Sequence, residues 1–367
     1  MSIDQLDTKH LTQIAVIGDG CAALSLASKA DLLPKYQLHV IAPKMHLSEQ
    51  DHIWGLWQMD WLQDVVPLAR KTWHKWAIIN HNTKVVMQAN EHPYQAVTRR
   101  SWLAHCKRKA QQNKVSFHET IADIGTLPLR QIFDSRPPKQ KSGMMLQHFI
   151  GWEVRADPGS FDDKIAILMD FRCDQSRGMH FIYFLPFSNS DALVESTLFS
   201  CGVEPDDFYE TAISNWLKNC AGISRFELIR REKSAIPLGL MESHDPTLQG
   251  IGANGGAIRP SSGYAFSFIQ KQIKTALTLV SDDDLIKFSI PHKKIDLWMD
   301  RIFLHVLRNH PHYAPQIFTS IAASLTGDEF ALFMSGEANN SLRKKVIWAM
   351  PFWPFFRALL SSKPSEL

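Results

Sequence analysis

Ile14-Ala-Val-Ile-Gly18-Asp-Gly-Cys-Ala-Ala23 is an apolar, strand-like run closed by two glycines and four small or polar neighbours, and it decides the fold. It has the G-x-G-x-x-A form of a dinucleotide-binding turn, and the stretch from Cys21 to Leu33 that follows is rich in Ala, Leu and Ser and compatible with a helix. Gly18 permits the tight turn, Gly20 lets the backbone approach a pyrophosphate, and Ala23 lets the helix lie close to the strand. Phosphates would sit on the free N–H groups of the helix start, so Gly18, Gly20, Cys21, Ala22 and Ala23 are candidate cofactor-binding residues. Small-residue turns are common, and it is the position between a strand and a helix that points to an α/β nucleotide-binding unit. The next strand, Gln37-Leu-His-Val-Ile41, should end in an acid that binds the adenosine ribose, but it ends in Ala42-Pro43. Lys44, Glu49 or a backbone group would have to replace that acid.

With 367 residues, 45% of them hydrophobic, the chain can bury a large core as one composite unit or two closely joined domains. A net charge of +3, with both signs spread along the chain, leaves no footprint for nucleic acid. Cys21, Cys106, Cys173, Cys201 and Cys220 form no CxxC pair, which suggests reduced thiols and no metal site. The 11 Trp and 21 Phe residues suit either core filling or a large apolar ligand. Met1 to His10 is polar and lacks the basic start and apolar run of a signal peptide. No apolar stretch is long enough to span a bilayer, so a cytoplasmic protein is expected.

Farther along, His180-Phe-Ile-Tyr-Phe-Leu-Pro-Phe-Ser188 and Asp191-Ala-Leu-Val-Glu-Ser-Thr-Leu-Phe-Ser200 read as a hairpin joined by polar turn residues. Alternation in the second arm puts Glu195 on the same face as Leu193, Thr197 and Phe199. A carboxyl group looking into an apolar space keeps its proton near neutral pH and can act as a general acid. The other reading is a glutamate on the exposed face of an edge strand. Leu185-Pro-Phe-Ser188 followed by Leu193-Val-Glu-Ser-Thr197 and Phe199-Ser200 resembles the corresponding segment of the bacterial lycopene cyclases, flavoproteins that close β-rings on linear carotenoids. The resemblance implies that Glu195 is the catalytic acid and base.

Other segments carry the same likeness. Asp51-His-Ile-Trp54 resembles the family's Asp-His-Thr-Trp, near the junction of flavin and substrate regions, which makes Asp51 and Trp54 candidate substrate-binding residues. Trp73 to Ile79, Thr83 to Met87 and Tyr94 to Thr98 read as strands, Arg99 to Gln112 as a helix, and 134–143 as an exposed polar loop. Phe149 to Val154 and Ile165 to Asp170 join the hairpin in an antiparallel sheet, with Glu153 and Asp170 as further carboxylates. A helix from Glu204 to Asn219 and a strand from Arg225 to Glu232 follow. Gly250-Ile-Gly-Ala-Asn-Gly-Gly-Ala-Ile-Arg-Pro-Ser-Ser-Gly-Tyr264 and the helix Ala265 to Val280 resemble the family's second flavin motif, so Gly255, Gly256, Gly263 and Tyr264 are further cofactor candidates. Arg259 stands where the family has His, which is expected to alter charge near the ring and to touch substrate. Helices at 295–308, 315–324 and 329–334 match a C-terminal cap. The segment 342–360, with Arg343, Lys344 and Lys345 before Trp348, Phe352, Trp353 and Phe356, reads as an interfacial helix broken by Pro351 and Pro354. The alternative is an apolar tail docked on the body.

The resemblance covers about residues 13–356. It implies an α/β fold, with a Rossmann-type, glutathione-reductase-like FAD-binding domain, an antiparallel substrate sheet and a helical cap. The expected segments are 12–80 and 246–290 for FAD, 81–245 for the substrate sheet with some interleaved FAD-domain elements, and 291–367 for the cap and a membrane-contacting tail. The implied reaction is a redox-neutral, proton-initiated cyclisation of an apolar polyene, with reduced FAD stabilising the cation and NAD(P)H as electron donor. The rival readings are an FAD-dependent monooxygenase or oxidase acting on another apolar molecule, and a flavin-binding protein without catalysis.

Overall fold

A computed structural model describes residues 11–42, 51–280 and 285–361 of the protein. The expectations placed on Met1 to His10, on Lys44 and Glu49, and on residues 362–367 lie outside them.

In chain order, β1 (Thr12–Ile17), α1 (Cys21–Ala27) and β2 (Tyr36–Ile41) open the fold. The helix is shorter than the run to Leu33, because Ser28 and Asn113 take over its last groups. The Ser28 hydroxyl bonds back to the Ser25 carbonyl at 2.8 Å, and the Asn113 amide donates to the Ser28 carbonyl at 3.2 Å. Next come β3 (Ile53–Trp57), β4 (Lys71–Trp73), β5 (Lys75–Ile79), β6 (Lys84–Gln88) and β7 (Tyr94–Thr98). The single strand expected from Trp73 to Ile79 is thus divided at His74, and its halves enter different sheets. Thr98 caps α2 (Arg99–Gln112) by accepting from the Ser101 N–H at 3.1 Å, and β8 (Ser116–His118) and β9 (Leu129–Asp134) follow. Then come β10 (Met145–Arg155), β11 (Ile165–Asp170), β12 (Met179–Pro186), β13 (Asp191–Ser200), α3 (Asp206–Asn219), β14 (Glu227–Leu238) and β15 (Gln249–Gly250). The helices α4 (Phe266–Thr278), α5 (Lys294–Asn309), α6 (Ala314–Ser324), α7 (Gly327–Met334), α8 (Asn340–Ala349) and α9 (Phe352–Ser361) complete the chain.

Among the described residues the strands make three sheets. The first is parallel, in the order β15-β9-β1-β2-β8, and the third is the antiparallel trio β3-β7-β4. The second is a seven-stranded sheet, β14-β10-β13-β12-β11-β5-β6, antiparallel except for the parallel pair β11 and β5. It is larger than the antiparallel sheet read from the sequence, since β5 and β6 join it from before α2. Within the expected segments, β5 lies in 12–80 yet extends the large sheet, while β8 and β9 are parallel-sheet elements interleaved in 81–245.

Two apolar layers flank the large sheet. One face packs on α3 through Ile150, Ile182, Val194, Ile213 and Trp216. The other faces the cap helices through Leu193, Phe199, Phe181, Ile302 and Phe318. Pro351 separates α8 from α9, but Pro354 does not break the tail; it is the third residue of α9, in a first turn whose N–H groups need no helical acceptor.

Candidate functional site

Between the large sheet, the glycine-rich turns and the cap lies a cavity of about 770 Å³. Its floor is a strand register. Tyr183 pairs with Glu195, Glu195 with Gly151, and Gly151 with Glu232, so these four residues form one row across β12, β13, β10 and β14. Residues in one row share a face, which places both carboxylates on the cavity side of the sheet.

Glu195 is 8% exposed and lines the cavity, as the alternation of its strand predicts. Among the described residues its carboxyl takes one hydrogen bond, from the Thr197 hydroxyl at 2.6 Å. Burial, and then the nearby Glu232 carboxylate, push its pKa up to about 8, so it holds a proton at neutral pH. The Tyr94 hydroxyl lies 2.7 Å from that of Tyr183 and 3.4 Å from that of Tyr264, and all three side chains line the same space. Gly55 makes this cluster possible, because a β-carbon there would stand 1.9 Å from the Tyr94 hydroxyl.

Glu232, the last residue of the strand expected from Arg225, is a buried carboxylate. Arg230 donates to it at 3.0 Å and the Ile53 N–H at 3.3 Å, and His52 Nδ1 stands 3.8 Å away. Burial outweighs these partners and pushes it up to about 7. Glu153, one of the further carboxylates, is tied to Arg70 and Arg230. Asp170 belongs to the opposite face of the sheet, where Trp216 Nε1 donates to it at 2.9 Å.

The two glycine-rich turns meet. Gly252, in the left-handed region at φ +67°, approaches α1 so closely that a β-carbon would stand 2.4 Å from the Ala22 β-carbon. Gly18 is at φ +110°, against the Ser135 hydroxyl, whereas the space over Gly20 is open for 4 Å. Gly255 turns against the Gly250 carbonyl, and Gly256 and Gly263 are both left-handed. Beside Gly263, Gln147 Oε1 and Ser262 Oγ are buried, line the cavity and have no hydrogen-bond partner among the described residues. An extended dinucleotide with a flat heteroaromatic head fits this set. Backbone N–H groups from Gly20 to Ala23 suit its phosphates, and Gln147 and Ser262 suit the polar edge of its ring. The Cys21 thiol lines the cavity beside them and is inert, since burial pushes it up to about 12.

Two of the three substrate-side expectations are revised. Asp51 does not line the cavity: its carboxylate accepts from the Arg100 N–H at 2.8 Å and ties the loop to the start of α2. Trp54 does line it, stacked on Phe266 with ring centroids 4.9 Å apart. Arg259 also lines it, but its Nε and Nη2 donate to Asp300 of α5 at 2.6 and 3.0 Å. The expected extra charge is thus neutralised by the cap.

Residues 13–311 match the family described as lycopene cyclase protein. A lycopene beta-cyclase of Paracoccus sp. is 28% identical over 138 residues, 36% of this chain and 35% of that protein. The match therefore spans about a third of that relative's length. Among solved structures, a geranylgeranyl bacteriochlorophyll reductase-like protein of Thermoplasma acidophilum superposes with a TM-score of 0.56 at 11% identity, covering 97% of this chain and 98% of that one. A flavin-dependent halogenase of Xanthomonas campestris gives 0.53 at 10% identity, covering 92% and 83%. At such identities the likeness is one of fold, a mixed α/β architecture with parallel and antiparallel sheets.

Proposed function

Because the chain belongs to the lycopene cyclase family, we propose that it closes a ring on a linear, lycopene-like polyene by donating the Glu195 proton beside a bound FAD. The observation that carries this reading is Glu195 itself, a buried carboxyl that keeps its proton at pH 7 and faces a long aromatic cavity. In this reading the parallel sheet and residues 246–290 form a glutathione-reductase-like cofactor unit, the seven-stranded sheet is the substrate floor, and the helices from α5 onward are the lid.

The Glu195 carboxyl transfers its proton to a terminal trisubstituted alkene, leaving a carboxylate and a tertiary cation. The neighbouring double bond attacks that cation and closes the six-membered ring, moving the positive charge to a ring carbon. The Glu195 carboxylate then takes a proton from the adjacent carbon, so the substrate is isomerised and no electrons are gained or lost. Reduced FAD, kept reduced by NAD(P)H, supplies an anionic ring whose field favours the cation. Trp54 and Phe266 offer aromatic faces to the same charge, and the apolar walls exclude the water that would quench it.

The cavity opens toward α8 and α9, whose Trp348 and Phe352 line it while remaining 86% and 65% exposed. This supports loading of an apolar substrate from a membrane surface, with the protein peripheral on the cytoplasmic side. Contact would rest on aromatic burial and Lys344 more than on the basic cluster, because Arg343 is buried in an ion pair with Asp296 and Lys345 is paired with Glu329. Among the described residues no helix is long and apolar enough to cross a membrane.

The test is expression in a lycopene-accumulating cell, followed by anaerobic conversion of lycopene by the purified protein with dithionite-reduced FAD. Cyclised pigment without oxygen is the expected result. Conversion that requires oxygen and consumes NADPH would replace this reading with an FAD-dependent monooxygenase or oxidase.

A further inference from the structure

Glu232 is buried on the cavity face of the sheet, yet ring closure by Glu195 does not use it. Its place in the row is specific. Gly151 stands between Glu232 and Glu195, and a β-carbon at that position would lie 3.0 Å from Glu232 Cγ and 3.3 Å from Oε1. The Glu232 side chain therefore leans over the glycine, into the space that separates it from Glu195.

The two carboxylates are unequally supported. Glu232 has a guanidinium at 3.0 Å and a backbone N–H at 3.3 Å, whereas Glu195 has a single hydroxyl. Two buried carboxylates on one face do not both ionise readily, and the one with a cation gives up its proton first. We propose that Glu232 is a positioning residue for cyclisation: its ion-paired carboxylate, set beside Glu195 across the gap at Gly151, keeps the Glu195 carboxyl in the proton-bearing form. This rests on the reading of Glu195 as the acid.

The other groups around Glu195 do not supply that charge. Tyr183 of β12, Tyr94 of β7 and Tyr264 before α4 are neutral phenols, each pushed upward, first by burial. His52, before β3, is held below its usual range by burial and then by Arg99 and Arg230. Glu153 of β10 is occupied by two arginines, and Arg259 and Asp300 form a pair with no net charge. Removing the Glu232 charge thus lowers the pKa of Glu195.

The experiment is an infrared titration of the full-length protein from about pH 5 to about pH 9. It follows the carbonyl stretch of a protonated carboxyl, assigned to Glu195 by its loss in Glu195→Gln. In Glu232→Gln the midpoint should fall by about one pH unit, and the alkaline limb of the pH–rate profile should move with it. Glu232→Asp, which keeps the charge, should restore most of the shift. If Glu232→Gln fails to fold, Glu232→Met, which removes the same charge at similar volume while Arg230 keeps Glu153, is read in the same way. An unchanged midpoint in either folded variant overturns the proposal, as does a Glu195 band absent from the wild type at neutral pH. Cyclisation that survives Glu195→Gln overturns the acid instead, and the infrared midpoint still decides whether Glu232 governs that proton.

Discussion

On the α3 face of the large sheet, His180 meets the Ser196 hydroxyl at 2.8 Å, His148 meets Ser200 at 2.9 Å and also Tyr209, and Asp170 is held by Arg172 and Trp216. On the cavity side, Glu195 has one hydroxyl among the described residues, and three phenols, Tyr183 of the same sheet with Tyr94 and Tyr264 opposite it, share two contacts. Neighbouring residues of one strand, Glu195 and Ser196, thus live under different rules. A buried polar group with all its partners is scaffold, since satisfaction removes its appetite for anything else. One that is left short is available to a ligand.

The contrast can be broken most decisively at Glu195. Glu195→Gln should lower the cyclisation rate by about 10²- to 10⁴-fold while the fold and bound flavin are retained, as read by pigment analysis and flavin absorbance. On the α3 face, Trp216→Ala should do the opposite, costing about 3–5 kcal/mol in urea unfolding with the pH profile of turnover unmoved. A pH effect on stability separates the faces next. Glu195 has its pKa raised from 4.5 to about 8 on folding, so its proton stabilises the folded state fully below 4.5, and that contribution is lost as pH rises through 8. Wild type should therefore lose stability across that window, and Glu195→Gln should lose less of it. The smallest effect is expected for Tyr209→Phe, about 1 kcal/mol from a lost hydrogen bond to His148, with turnover unchanged.

Local pattern carried part of this into the sequence. Period-two alternation put Glu195 on one face with Leu193, Thr197 and Phe199, the family likeness chose the buried reading, and the place of Gly18, Gly20 and Ala23 between an apolar run and a helix-compatible one put a strand, a turn and a helix in order. Glu232 was hidden because its segment, Arg230-Arg-Glu-Lys233, looks like a solvated edge. It reaches the cavity side of the sheet only through pairing with Gly151, 81 positions away in sequence and paired in register. The parallel pairing of β5 with β11, which enlarges the floor, is equally non-local. The extent of α1 depended on Asn113, a residue on another element, and the tail tolerated Pro354 because α9 begins only two residues before it.

The Arg259 and Asp300 pair ties a cofactor-side turn to a cap helix, with both members almost fully buried. Either partner alone would be a stranded charge, so the two positions should drift together through descent. Relatives with histidine at the position of Arg259 should carry a neutral residue opposite it, and such covariation would mark where the lid has exchanged one way of fastening itself for another.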